Sequence, residues 1–233
     1  MPVNRLLLSM SLPMIISMLV QALYNIVDSV FVAMINEDAL TAVSLAFPVQ
    51  SLMIAVGTGT GVGINALLSK SLGEKKFDVA NKTADNGIFL SLLSFLAFAI
   101  IGGLFSRPFF AVQTSSEQII GFGTSYLTIC CVCSFGIYFQ LVFEKLLQST
   151  GKTFYTMITQ GTGAIINIIL DPIFIFGLFG FPKLGVAGAA VATVIGQIVA
   201  AILAAYFNFK KNHEIKISMR RFRPDGTIIK KIY

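Results

Sequence analysis

Charge is what this sequence has least of. Asp, Glu, Lys and Arg make up 12% of its 233 residues, about half of the roughly 25% that a water-facing domain carries. So little charge cannot coat a soluble surface, which excludes an ordinary cytosolic enzyme, a secreted disulfide scaffold and a disordered tail. Enzyme signatures are missing too: there is no Walker loop, no His/Cys metal spacing and no Ser/His/Asp set in a water-facing stretch. The single histidine, His213, sits in a basic tail and reads as a solvated side chain. The three cysteines, Cys130, Cys131 and Cys133, have no zinc or haem spacing and read as packing residues. What the chain has instead is apolar bulk, 55% hydrophobic with a mean hydropathy of +0.82. Its net charge of +6 then belongs at a membrane face rather than on nucleic acid.

A bilayer core is crossed by about 20 apolar residues. Runs without Asp, Glu, Lys or Arg extend over Leu6–Val27, Phe47–Leu68, Gly87–Phe105, Ile119–Phe143, Phe154–Leu170 and Leu184–Phe209. The first and fifth continue apolar past one acid each, Asp28 and Asp171, to Ile35 and Phe176. Period-2 alternation is absent, which argues against a β-barrel. The reading is an all-α integral membrane protein with six transmembrane helices, over about 6–35, 47–68, 87–105, 119–143, 154–176 and 184–209. The first run is too long for the apolar region of a signal peptide and is expected to stay as a helix.

Lys and Arg collect on the cytoplasmic side. With the N-terminus inside, 15 of the 17 basic residues are cytoplasmic, and only Arg107 and Lys183 are outside. Both termini are therefore expected in the cytoplasm, residues 1–209 forming the transmembrane unit. The remainder, 210–233, mixes Lys and Arg with Ile215, Ile217, Met219, Phe222, Ile228 and Ile229. It reads either as an amphipathic segment on the anionic inner leaflet or as a linker to something further on.

Charges inside spans default to functional hypotheses because they are costly there. Two occur, Asp28 and Asp171. Gln21, Asn25 and Asp28 share one face of the first helix at spacings i, i+4 and i+7. Gln160, Asn167 and Asp171 share one face of the fifth at i, i+7 and i+11, and Thr193 and Gln197 are four apart on the sixth. At 1.5 Å per residue, Asp28 and Asp171 lie about 10 Å and 9 Å below the outer ends of their helices, and Thr193 about 14 Å down. Three helices thus present oxygen ligands in the outer half of the membrane. Two carboxylates in a low-dielectric pocket need a proton or a shared cation. Pro172 lacks the N–H its helix needs and so releases a carbonyl beside Asp171. The plain alternative is that each acid reaches interfacial water near a helix end. Gly57, Gly59, Gly61 and Gly63, and the small residues from Gly185 to Ala192, read as close helix packing more than as hinges.

Several stretches resemble the multidrug and toxic compound extrusion (MATE) family of cation-coupled transporters. They are Leu12-Pro13 with Asp28 beyond, Phe47-Pro48-Val49-Gln50, Ser149-Thr150-Gly151-Lys152, Asn167-Ile168-Ile169-Leu170-Asp171-Pro172 and Gly188-Ala189-Ala190-Val191-Ala192-Thr193. The resemblance covers the chain to about Lys211. It implies one six-helix lobe of a twelve-helix transporter, the N-terminal one, with a second lobe needed to complete the substrate path. It also implies that Asp28, Asn167, Asp171 and Thr193 bind the coupling ion, sodium or a proton, with Ala189 lending a carbonyl. Tyr126, Asn25 and Gln21 would support the cluster by hydrogen bonds.

The function expected is therefore not catalytic and needs no organic cofactor. It is cation-coupled antiport of bulky, often cationic or amphiphilic drugs out of the cell, by a multi-pass protein of the plasma membrane embedded in lipid. Two alternatives stay open: a flippase of lipid-linked precursors from the same superfamily, and a non-transporting membrane scaffold subunit. The flippase favours a basic, anion-attracting interior, whereas the interior here is acidic and rich in amides.

Overall fold

The computed structural model describes residues 3–217 and 223–233, with side chains from Leu7 onward. The basic side chain of Arg5, and Met219, Arg220, Arg221 and Phe222 of the tail, lie outside the described residues. Eight α-helices and one short turn follow in order: α1 (Val3–Ala33), α2 (Glu37–Gly73), α3 (Phe77–Gln113), α4 (Glu117–Val132), α5 (Phe135–Ser149), α6 (Thr153–Phe176), a 3-10 turn at Leu178–Gly180, α7 (Val186–Lys211) and α8 (Gly226–Ile232). Five of these, α1, α2, α3, α6 and α7, are each long and apolar enough to cross a membrane. The pair α4 and α5 passes as a sixth span, bent by 45°. Leu, Ile and Phe side chains stand exposed along the outer faces of α1, α2 and α3, as expected where lipid is the surrounding medium.

Where the helices begin and end follows from polar residues outside the apolar runs. Asn36 opens α2 by accepting the Ala39 N–H at 2.7 Å, and Glu37 and Asp38 fill the first turn, where a helix N-terminus favours negative charge. Hence α2 and α3 have 37 residues each, far longer than the 22- and 19-residue uncharged runs inside them. Ser116 caps α4 through Ile119. Gly177 ends α6 at φ 74°. A Cβ there would stand 2.9 Å from both the Lys183 nitrogen and the Phe181 oxygen, so no other residue fits that turn without strain.

The fourth span is the one that departs from a straight run. Cys133 and Ser134 separate α4 from α5, although no proline or charge marks the place. Ser134 is fully buried, and its hydroxyl and that of Tyr138 make no hydrogen bond there.

The helix α7 is the centre of the bundle. Half of its apolar stretch is buried, and it packs against α4, α5 and α6. The helix α1 packs chiefly on α6. Two apolar clusters result. An outer one joins Val32, Phe110, Tyr138, Ile175 and Ala189, and an inner one joins Ile64, Leu68, Leu146, Ala204 and three residues of the tail, Ile215, Ile228 and Ile232. The described part of the tail thus packs on the inner ends of α2 and α3. Asp225 caps α8 through the N–H groups of Thr227 and Ile228, and Tyr233 shares a 2.8 Å hydrogen bond with Thr60.

Candidate cation and substrate site

The site is built on a contact between two glycines. A Cβ on Gly196 of α7 would lie 2.7 Å from the Gly163 oxygen of α6, and one on Gly163 would lie 3.0 Å from the Gly196 oxygen. Small residues let the two backbones meet at that level. One turn further out, Asn167 of α6 is then within reach of α7. Its Nδ2 donates to Thr193 Oγ1 at 3.1 Å and to Asp171 Oδ1 at 3.3 Å. Asn167 and Asp171 are buried, at 2% and 0% exposure.

Each of these groups keeps an oxygen with no hydrogen bond. Asn167 Oδ1, Asp171 Oδ2 and Asp28 Oδ1 are all buried and all unpartnered. Native interiors leave few polar atoms in that state. Asp28 comes from α1, which packs along α6. Pro172 follows directly and leaves the Ile168 carbonyl without its helical donor. On the outer side of both aspartates, Phe31 and Phe176 pack edge to face at 6.4 Å. Hard oxygen donors under an apolar lid are a donor set that suits a small hard cation.

The remaining expected residues fall at different places. A cavity of about 260 Å³ opens beside the cluster, lined by Gln21, Asn25, Asp28, Asn167, Thr193 and Gln197, among others. Gln21 and Asn25 stand exposed on the α1 side of it. Tyr126 also lines it, and its hydroxyl accepts the Gln50 amide at 3.2 Å, beside the Cys130 thiol that the same amide reaches at 3.8 Å. Ala189 is fully buried in the outer apolar cluster, with its N–H on the Gly185 carbonyl. Gln160, on the face of Asn167 and Asp171, turns instead to Glu144 of α5. Neither Gln50 nor Glu144 emerges as a site residue from the sequence. Glu144 stands one residue past the fourth apolar run, and the visible signal was Gln140 four residues before it, on the same helix face.

Among the described residues the cavity wall contains no Lys or Arg, and Asp28 is its one formally charged residue. No group of three or more His, Cys, Asp and Glu that could hold a metal ion occurs among the described residues. The candidate site thus joins the Asp171 carboxylate, the Asn167 amide and the Thr193 hydroxyl across α6 and α7, with Asp28 of α1 on the cavity wall beside them.

Comparison with known proteins agrees with this architecture. A family model described as MatE matches residues 13–173. Among curated relatives, the chain is 29% identical over 215 residues to the FAD transporter of Shewanella oneidensis, covering 92% of this chain and 48% of that protein. It is 29% identical over 224 residues to the multidrug export protein MepA of Staphylococcus haemolyticus, covering 96% and 49%. The chain thus spans about half the length of these relatives. Among solved structures, it superposes with a TM-score of 0.89 and 31% identity on an outward-facing multidrug resistance MATE family transporter of the MOP superfamily, over 97% of this chain and 50% of that one. A MOP superfamily transporter from Pyrococcus furiosus, described as having a binding pocket of reverse polarity that suggests a different function, gives a TM-score of 0.90 at 31% identity, over 97% and 50%. By sequence and by fold, this six-span helical membrane chain belongs to the MatE family and corresponds to one half of a MATE transporter.

Proposed function

We propose that this chain is the cation-binding lobe of a cation-coupled exporter of bulky, positively charged or amphiphilic drugs, working in the plasma membrane. The observation that carries the reading is the set of three buried oxygens without hydrogen bonds, on Asp28, Asn167 and Asp171, contributed by α1 and α6. Sodium would take these oxygens as ligands. A proton would take one carboxylate and hydrogen-bond the other. Either one relieves the repulsion between two carboxylates in a low-dielectric site. Because Asp28 comes from α1 and Asp171 from α6, binding draws the two helices together, and an ion that favours one arrangement shifts the population toward it. That shift is what an alternating-access antiporter needs to link ion entry to drug release, with the opposite wall of the substrate path supplied by a second six-helix lobe.

The cavity wall supports export of cations over anionic cargo, since Asp28 is charged there and no Lys or Arg faces it among the described residues. The relative named as an FAD transporter makes a dinucleotide the natural competitor to test. The experiment is sodium calorimetry on the purified chain across pH, repeated with Asp28→Asn and Asp171→Asn. Saturable sodium binding that weakens at low pH and is lost in both variants supports a shared sodium site. Proton uptake abolished by both variants, with no sodium binding, supports proton coupling. If neither ion binds, the coupling assignment fails.

A further inference from the structure

A third buried carboxylate lies on the cytoplasmic side of the cavity, away from the aspartate pair. Glu144 of α5 is 1% exposed. Its Oε1 accepts from Gln140 Nε2 at 3.0 Å and from Thr159 Oγ1 at 2.9 Å, and its Oε2 accepts from Gln160 Nε2 at 2.6 Å. None of the three ion pairs among the described residues includes it. The adjacent cation, Lys145, donates instead to Gln148 Oε1 at 2.9 Å. Two amide N–H groups, which can only donate, meet it with one on each oxygen, the arrangement an ionised carboxylate takes. The Thr159 hydroxyl also lies 2.9 Å from the Thr156 carbonyl, so its single proton is shared between the two acceptors. A buried carboxylate held by neutral donors inside a membrane bundle, with the side chain of the neighbouring Lys145 turned to Gln148, calls for a function.

The two glutamines connect that charge to the cavity, because both Gln140 and Gln160 line its wall. Each has turned its amide nitrogen to Glu144, which leaves its carbonyl oxygen as the end free for a ligand. A donor engaged by a carboxylate also polarises its own amide and strengthens the carbonyl as an acceptor. The inner wall of the cavity therefore presents acceptors backed by a carboxylate, and no Lys or Arg is among the described residues that line it.

We propose that Glu144, acting through Gln140 and Gln160, makes the inner wall of this cavity selective for ligands that carry a positive charge. Glu144 is a positioning residue: it touches the two amides and not the ligand. The inference rests on the cationic-substrate reading above and adds to it the group that sets the charge preference, distinct from the ion-binding aspartates.

The test compares two probes of similar size, the cation tetraphenylphosphonium and the neutral triphenylphosphine oxide, binding to the chain in lipid nanodiscs. Wild-type chain is expected to prefer the cation. Glu144→Gln, which keeps the shape and removes the charge, is expected to weaken the cation by about tenfold, the scale of a screened charge interaction across several ångströms. It should leave the neutral probe within about twofold, and Glu144→Asp should keep part of the preference. Cation affinity unchanged by Glu144→Gln overturns the inference, and so does equal loss of both probes, which marks Glu144 as a packing element only. A wild-type chain without preference for the cation overturns the inference and the cationic-substrate reading together. Sodium or proton binding at Asp28 and Asp171 is measured separately and can survive either result.

Discussion

Asn167 Nδ2 lies 3.1 Å from Thr193 Oγ1 and 3.3 Å from Asp171 Oδ1, so one amide group ties the proposed ion site on α6 to the central helix α7. Its own carbonyl oxygen stays unpartnered and buried. The amide thus holds the carboxylate in place with its donor end and adds an acceptor to the site with the other. Replacing it separates those roles. Asn167→Asp keeps an acceptor, loses the donor and adds a third acid, whereas Asn167→Leu removes both ends.

Asp171→Asn is expected to lower sodium affinity, or proton uptake if that is the coupled ion, by well over tenfold, since even outer-shell partners of a metal site contribute about 10–100-fold. The bundle should stay folded, because Asp171 Oδ2 has no hydrogen bond to lose and an amide fits the same space. Calorimetry gives the affinity, and the thermal midpoint in detergent gives the fold. Asn167→Leu should lose ion affinity and also lower the midpoint, because Thr193 is left without its donor.

The spans were legible in the sequence because uncharged runs of bilayer length can hardly be anything else. The helix ends were less so, since α2 and α3 run on past the apolar stretch to caps such as Asn36 and to the turns beyond. The break at Cys133–Ser134 leaves no trace in hydropathy, because the residues on both sides are equally apolar. The pairing of Asn167 with Asp171 was readable as a four-residue spacing within one helix. The partner of Gln160 was not, because spacing within α6 says nothing of which residue α5 turns toward it. Glu144 supplies that partner, drawn into the bundle by three donors that lie on two helices.

The contact of Gly163 with Gly196 predicts a joint loss of stability and binding. In Gly196→Val, the Cβ alone would stand 2.7 Å from the Gly163 oxygen, so α6 and α7 must separate. Overpacking of that kind costs about 1–3 kcal/mol, and it also moves Thr193 away from Asn167. A lowered thermal midpoint together with weaker ion binding is the expected result. Gly121→Ala serves as the control, since its Cβ would meet nothing within 4 Å and neither quantity should move beyond what an ordinary surface substitution gives.

A second junction fixes α7 at the cytoplasmic end. Asn208 Nδ2 donates to the Phe143 carbonyl at 2.8 Å, and Asn212 Nδ2 donates to the Leu146 carbonyl at 3.2 Å. Asn208 is buried at 3% exposure. Asn208→Leu removes the bonds to the Phe143 oxygen and from the Asn212 amide, while the helix and the Leu146 carbonyl still hold those two groups, at a cost of about 0.5–1.5 kcal/mol per lost hydrogen bond. Stability measured by unfolding should fall, while ion affinity at the distant aspartates should be unchanged. A drop in both would show that the two ends of α7 are coupled.

The tail gives the last prediction. Asp225 accepts the Thr227 and Ile228 N–H groups that begin α8, donates its own N–H to Asn86 Oδ1 at 3.0 Å, and lies 3.9 Å from Lys82 Nζ. The exposed ion pair contributes little, so the cap is the part that matters. Asp225→Ala should weaken α8 by about 1 kcal/mol, the usual value of an N-cap, and loosen the packing of Ile228 and Ile232 on the inner cluster. Amide hydrogen exchange over 226–232 should speed up several-fold, while exchange in α6 and α7 stays as it was. Lys82→Ala, which removes the ion pair and keeps the cap, should leave exchange over 226–232 within about twofold of wild type. If the two variants instead behave alike, the ion pair rather than the cap holds α8 against α2 and α3.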